Sequence, residues 1–352
     1  MSTNPRNAAD GQHTIRSVAE YAGVSKSLVS RVLQGSPHVR PEKRKAVEDA
    51  IKELGYRPNG AARSLTERRT RAIGVLVNDL RQPWFVDFLE GVNTALTESD
   101  LHMFVGDGRL DRHADERLMR AFMEMRVDGL ILAGTMPEST TITEAASRLP
   151  TAVAGSRDFK LPNVDVIAED DGRGVELVMR HLFDLGHRRI AHIAGNHAAV
   201  FGIRRRAYET IMREHGYGDH VLVETCDTTE DGGYRAAVRL LGRARPRPTA
   251  LFVANDPACV GAFSAAVELG LSVPGDLSLA SFDNSFLAKI RHLSLTSVDI
   301  GAHEVGRRVT RVLLDRIAEP ERTAVEYLVT PTLEVRSSTG PVPRPEIEPE
   351  AD

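Results

Sequence analysis

From residue 72 onward, short apolar runs alternate with stretches whose apolar residues recur at helical spacing. The runs Ala72–Val77, Val127–Ala133, Arg189–Ala194, Ala250–Ala254 and Leu277–Phe282 have strand length. Strands apolar on both faces and separated by helices predict parallel sheets covered on both sides. Before residue 72 the pattern is different. Residues 14–35 read TIRSVAEYAGVSKSLVSRVLQG. Ile15, Val18, Ala19 and Ala22 fall on one face behind Thr14, which predicts a helix capped by that hydroxyl. Gly23 permits a tight turn, Val24 plugs the junction, and Ser25 caps a second helix that buries Leu28, Val29, Val32 and Leu33. A third helix starts at Pro41, turns Val47, Ile51 and Leu54 inward, and ends at Gly55. Two helices joined by a short glycine-containing turn make a helix-turn-helix.

Size and charge sharpen this picture. A chain of 352 residues predicts two or three domains. Residues 1–71 carry 14 basic and 7 acidic side chains, a net of +7, while residues 72–352 carry 31 and 42, a net of −11. A basic end on an acidic body suggests that only the N-terminal part meets a polyanion, although a merely solvated basic face has the same composition. Lys26, Ser27, Ser30 and Arg31 lie on the outer side of the second helix, where a helix-turn-helix meets base edges in the major groove. An ordinary three-helix core with an exposed polar face is the alternative. No apolar run is long enough to span a bilayer, and MSTNPRNAADGQ lacks the apolar core of a signal peptide. Cys226 and Cys259 give neither a disulfide framework nor zinc spacing. These features lead us to expect a cytoplasmic protein with no membrane partner.

The spacing T-I-x-x-V-A-x-x-A-G-V-S-x-x-x-V-S-R-V-L-x-G, followed by V-x-P-x-x-R-x-x-V, L-G-Y-x-P-N and A-x-S-L, resembles the headpiece of the LacI/GalR (lactose-repressor) family over residues 14–65. The resemblance implies that Lys26 and Ser27 occupy the variable base-reading positions and that Arg31 makes a third base contact. It places Tyr21, Ser30 and Asn59 on the DNA backbone. We count Thr14 and Ser25, the helix caps, with the DNA-binding set. Residues 58–65, PNGAARSL, would be a hinge too short to hold a helix alone. In the family, two such hinges from a dimer fold together in the minor groove. Leu65 would be the intercalating wedge, Ala62 would let the two helices approach, and Arg63 would reach phosphate or the groove edge. A plain flexible linker is the alternative. Two departures stand out: Arg40 replaces the serine that usually caps the third helix, and Gly60 weakens the hinge helix.

Residues 72–338 resemble the family's regulatory core, whose fold is that of periplasmic binding proteins. The matching pieces are IGVLVNDLRQPWF, VDGLILAG, EDDGRGVELVMRHLFDLGHRRIAHIAG, PTALFVANDPACVGAFSAAVELGLSVPGDLSLASFDN and LTSVDI. The implied fold class is a small all-α headpiece plus an α/β core of two open parallel sheets joined by three crossovers. One lobe would take about 72–160 and 297–320, the other about 161–296 and 321–338. Residues 1–13 and 339–352 are expected to be disordered. Ligands of open parallel sheets bind beyond the carboxyl ends of strands. Strand ends and family positions together nominate Asp79, Trp84, Phe85, Arg204, Asn255 and Asp283 as effector-binding, with Gly155 near the rim. Trp84 is the sole tryptophan. Asp256 is expected to cap the following helix.

Other patterns carry less. DDGRG at 170–174 reads as a helix start rather than a nucleotide loop. His181, His187, His192 and His197 are spaced 6, 5 and 5 apart, which does not bring them to one helical face. Glu169 and Asp170 adjoin in sequence, which does not put both in a cleft. We find no nucleophile elbow, P-loop or metalloprotease pattern, so no catalytic residue, metal or cofactor is expected. The resulting expectation is a DNA-binding transcriptional regulator, a repressor, acting as a homodimer on a palindromic operator in double-stranded DNA. A small-molecule effector, carbohydrate by family habit, would control it. A solute-binding protein with an incidental basic extension and a sugar-modifying enzyme are the rivals.

Overall fold

The computed structural model describes residues 13–33, 35–56, 69–135, 139–157, 161, 163–196 and 199–342. The chain forms two compact units, divided at Thr70.

The first unit contains three helices, α1 (Ile15–Tyr21), α2 (Lys26–Leu33) and α3 (Pro41–Glu53). Thr14 and Ser17 form a reciprocal capping box: Ser17 N–H donates to Thr14 Oγ1 and Thr14 N–H donates to Ser17 Oγ. Ser25 Oγ accepts from Leu28 N–H at 3.3 Å and so caps α2. Arg40 precedes α3 without any side-chain cap bond. Val18, Ala19, Val29, Val32, Val39, Val47 and Ala50 form the core. The hinge positions Asn59, Ala62, Arg63 and Leu65 lie outside the described residues.

The second unit holds two six-stranded sheets. The first is ordered β11-β5-β4-β3-β1-β2 and is parallel throughout. Its strands are β1 (Ala72–Val77), β2 (His102–Asp107), β3 (Gly129–Ala133), β4 (Thr151–Ala154), β5 (Asp165–Glu169) and β11 (Glu326–Val329). The second is ordered β12-β10-β9-β8-β6-β7. It contains β6 (Ile190–Gly195), β7 (Leu222–Cys226), β8 (Ala250–Val253), β9 (Ser278–Phe282), β10 (Thr296–Asp299) and β12 (Thr332–Glu334). One strand departs from the expected parallel pattern, since β12 runs antiparallel to β10. Helices α4 (Trp84–Thr97), α5 (Arg112–Met125), α6 (Thr140–Arg148) and α11 (Ala302–Ala318) cover the first sheet. Helices α7 (Asp171–Asp184), α8 (Ala199–Glu214), α9 (Glu230–Arg243) and α10 (Asp256–Glu268) cover the second.

The chain crosses between lobes after β5, after β10 and after β11. The crossings sit a few residues from where the family resemblance suggested. Residues 165–169 and 326–329 belong to the first sheet, and residues 297–299 to the second. Strand pairing decides lobe membership, and an apolar run looks the same in either ladder. Residues 339–342, expected to be disordered, are instead bonded to the second lobe. Thr339 Oγ1 lies 2.9 Å from His181 Nε2, Gly340 N–H donates to Ser278 Oγ, and Val342 N–H donates to Leu185 O. Among the described residues no helix is long and apolar enough to cross a membrane.

Candidate functional site

A cavity of about 320 Å³ lies between the two sheets, at the carboxyl ends of their strands. That size suits a small ligand. All six residues nominated from sequence line it: Asp79, Trp84, Phe85, Arg204, Asn255 and Asp283. Their roles within it differ.

Arg204 is buried, whereas its neighbours Arg205 and Arg206 face solvent, which fixes the register of the RRR run. Its Nε donates to Asp171 Oδ1 at 2.7 Å and its Nη1 to Ala254 O at 2.8 Å. Asp283 Oδ1 lies 3.5 Å from Nη1. The guanidinium lies 3.7 Å from the Phe282 ring centre and 5.4 Å from that of Phe201. The planar fork is thus set before any ligand arrives. Asp283 holds a left-handed backbone, φ +99, at the end of β9. Burial pushes its carboxyl up to about 7, against the pull of Arg204.

Asp79 is spent within its own loop. Arg81 donates Nε to Oδ1 at 2.8 Å and Nη2 to Oδ2 at 2.7 Å. Burial raises this carboxyl, but the bonds and charge of Arg81 outweigh it and leave a net lowering. Phe85 is largely core, packed with Phe88 and Val92 beneath the cavity wall. Trp84 packs on the cores of both lobes. Its ring stacks on Phe88 with centres 4.9 Å apart. Gly155, at φ +71, leaves room for the indole: a Cβ there would stand 3.1 Å from Trp84 Cη2.

Asn255 corrects one expectation. It, and not Asp256, caps α10, with Oδ1 accepting from Ala258 N–H at 3.1 Å. Its Nδ2 donates across the cleft to Gln82 Oε1 at 3.0 Å. Asp256 instead lies buried at the first helical position, where its carboxylate accepts from Ser281, Ser285 and Ser297. A side chain that can bond distant hydroxyls need not serve its own helix end, and sequence spacing does not distinguish the two.

Sequence reasoning missed Glu169, Asp171, Gln82 and Phe201. Glu169 ends β5 and lines the cavity, while Asp170 caps α7 through Arg173 N–H. The strand-end rule that nominated Asp79 could have found Glu169. Phe201 sits one helical turn before Arg204, a spacing that puts both on one face. Three buried polar atoms of the lining, Trp84 Nε1, Thr135 Oγ1 and Glu169 Oε1, have no hydrogen-bond partner among the described residues. Buried polar atoms are nearly always bonded, so a polar ligand fits these. Among the described residues no group of His, Cys, Asp and Glu could hold a metal ion. His192 is buried within the aromatic core, with Nδ1 2.9 Å from Phe252 O.

In the first unit, Lys26, Ser27 and Arg31 are exposed and Ser30 is half-buried on α2; Tyr21 is exposed at the end of α1. Ser27 Oγ lies 3.0 Å from Ser25 Oγ, so the cap partly engages it. Arg31 Nε reaches back to Ser27 O at 3.4 Å.

The family profile "Bacterial regulatory proteins, lacI family" matches residues 14–59, and that of a periplasmic binding protein-like domain matches residues 179–339. The chain is 34% identical over 337 residues to the HTH-type transcriptional regulator CelR of Thermobifida fusca, covering 92% of this chain and 98% of CelR. It is 32% identical to the ribose operon repressor of Haemophilus influenzae over 328 residues, 92% of this chain and 98% of the repressor. Among solved structures, the lac repressor dimer bound to operator and the anti-inducer ONPF superposes with a TM-score of 0.83 at 26% identity, covering 94% of this chain and 99% of that one. A complex of CelR with cellobiose gives 0.69 at 31% identity, covering 93% and 100%. With a relative this similar aligned along nearly its whole length, the chain belongs to the lacI family of bacterial regulatory proteins, DNA-binding transcriptional regulators rather than enzymes.

Proposed function

We propose that the chain is a repressor that binds a palindromic operator as a homodimer in the cytoplasm and is switched by a small polar metabolite, carbohydrate-like, held between its lobes. The observation that carries this reading is the cleft: walled by Trp84, Phe201 and Arg204, it holds buried polar atoms with no partner among the described residues. The relatives support the ligand class, since CelR was solved with cellobiose. Lys26, Ser27 and Arg31 read bases, with Arg31 suited to guanine O6 and N7. Thr14, Tyr21, Ser25, Ser30 and Asn59 hold the DNA backbone or the helices that approach it. Ala62, Arg63 and Leu65 act as a hinge in the minor groove, with Leu65 as the wedge.

Dimerisation is supported by the lac repressor, which was solved as a dimer bound to operator. The Gln82–Asn255 bond and the two-sided packing of Trp84 tie the lobe angle to the contents of the cleft. A ligand that prefers one lobe angle shifts the population able to place two headpieces on two half-sites.

The test begins by selecting duplexes from a random pool with the full-length protein. A palindromic consensus is expected, with affinity for it altered by at least one sugar. Leu65→Ala should weaken binding to that consensus and reduce the bend. Retention of all duplexes alike, or a protein that stays monomeric on DNA, would overturn the proposal.

A further inference from the structure

The charges around the cleft do not balance. Of its two arginines, Arg81 is taken up by both oxygens of Asp79. Arg204 faces Asp171, Asp283 and Glu169, and only Asp171 also feels a second cation, Arg157 from outside the lining. Its strong bonds go to Asp171 and to the Ala254 carbonyl. Glu169 is 5% exposed, lines the cavity, and leaves Oε1 with no hydrogen-bond partner among the described residues. Three carboxyl groups therefore share one guanidinium of the cavity lining, and the least served of them, itself part of that lining, keeps a buried oxygen without a hydrogen bond among the described residues.

A buried carboxylate without a counter-charge is costly, and a protein meets the cost by keeping it protonated or by supplying a cation. Here the protein's own groups favour the first solution. Burial, with Asp171 and Asp283 adding to it, pushes the Glu169 carboxyl up to about 8. A neutral polyol would bond Oε1 but leave the charge balance as it was. A ligand bearing an ammonium group would supply both the missing bond and the missing charge.

We propose that the cleft recognises a carbohydrate-like ligand carrying a protonated amine, with the amine seated on Glu169. This rests on the reading of the cleft as the effector site. The proton balance is definite: the ammonium arrives with its proton, Glu169 gives up its own to solvent, and no covalent bond changes. Binding near neutral pH therefore releases up to one proton per site.

The test uses matched sugars differing by amine for hydroxyl: the β-1,4-linked glucosamine disaccharide against cellobiose, and glucosamine against glucose. Calorimetry on the full-length protein at pH 7, in two buffers of different ionisation enthalpy, gives affinity and protons released. The amine member of a pair should bind about tenfold tighter or more, with net proton release. Glu169→Gln should bring the two members to within about twofold of each other. The proton count is taken on the unaltered protein and so stands even if the variant does not fold. The inference is overturned if the neutral sugar binds equally or better, if no amine sugar binds, if no proton is released, or if Glu169→Gln keeps the preference. Operator affinity, measured in the same samples, separates the two readings: release by cellobiose but not by the amine would sink the amine and leave the repressor standing.

Discussion

Arg204 shows how much of a site a single residue can hide. Its nomination from sequence rested on a motif blurred by two adjacent arginines. Burial against Phe282 and the bond to Asp171 single it out in space. Asp79, Trp84, Asn255 and Asp283 were legible because strand ends in open sheets point at ligands. Glu169 and Asp171 were not, because a run of three acidic residues at a helix start reads first as capping. Glu169 also has a consequence for stability. Burial, with Asp171 and Asp283 adding to it and Arg204 opposing it, pushes its folded-state carboxyl from the free value of 4.5 up to about 8. Between those values the unfolded chain loses the proton while the folded chain keeps it, so this residue's contribution to stability is lost as pH rises. Glutamine does not titrate. Glu169→Gln should therefore be near neutral for stability at pH 4.5 and stabilising at pH 8, on the order of a few kcal/mol. Urea unfolding at the two pH values measures this, and an equal effect at both would contradict the assignment.

At the scale of elements, the headpiece helices were the most legible part of the chain. Their caps, turn and apolar stripes are local, and each signal lies within a few residues of what it specifies. The same locality makes their energetics testable in opposite directions. Thr14→Ala removes a capping box and should cost about 1 kcal/mol of headpiece stability. Arg40→Ser supplies a hydroxyl where α3 has no cap bond and should gain up to about 1 kcal/mol. Calorimetry of the headpiece transition reads both signs. The strands of the second unit were legible only where they were apolar throughout. The edge strand β2 is largely exposed and carries no such signal. The lobe membership of β5, β10 and β11, and the reversed direction of β12, depend on partners far along the chain. Local pattern contains none of that information.

At the scale of the whole molecule, charge divides the labour between the units. The headpiece side of the chain is basic, while residues 72–352 carry a net charge of −11. A fragment beginning at residue 72 should fold, because the second unit is compact by itself, and should not be retained by duplex DNA even at low salt. The full-length chain should bind non-specific duplex with an affinity that falls steeply as salt rises. Fluorescence anisotropy with a labelled duplex from 50 to about 200 mM salt distinguishes the two. DNA binding by the fragment would place the polyanion site in the wrong unit.

The position of Trp84 has a practical consequence. It is the chain's only indole, and it rests against the cores of both lobes at the edge of the cavity. Ultraviolet emission from the unlabelled protein is therefore free of background from other indoles. Light leaving the molecule near that wavelength reports on a single spot, and a compound settling there changes its colour or brightness without any dye being attached.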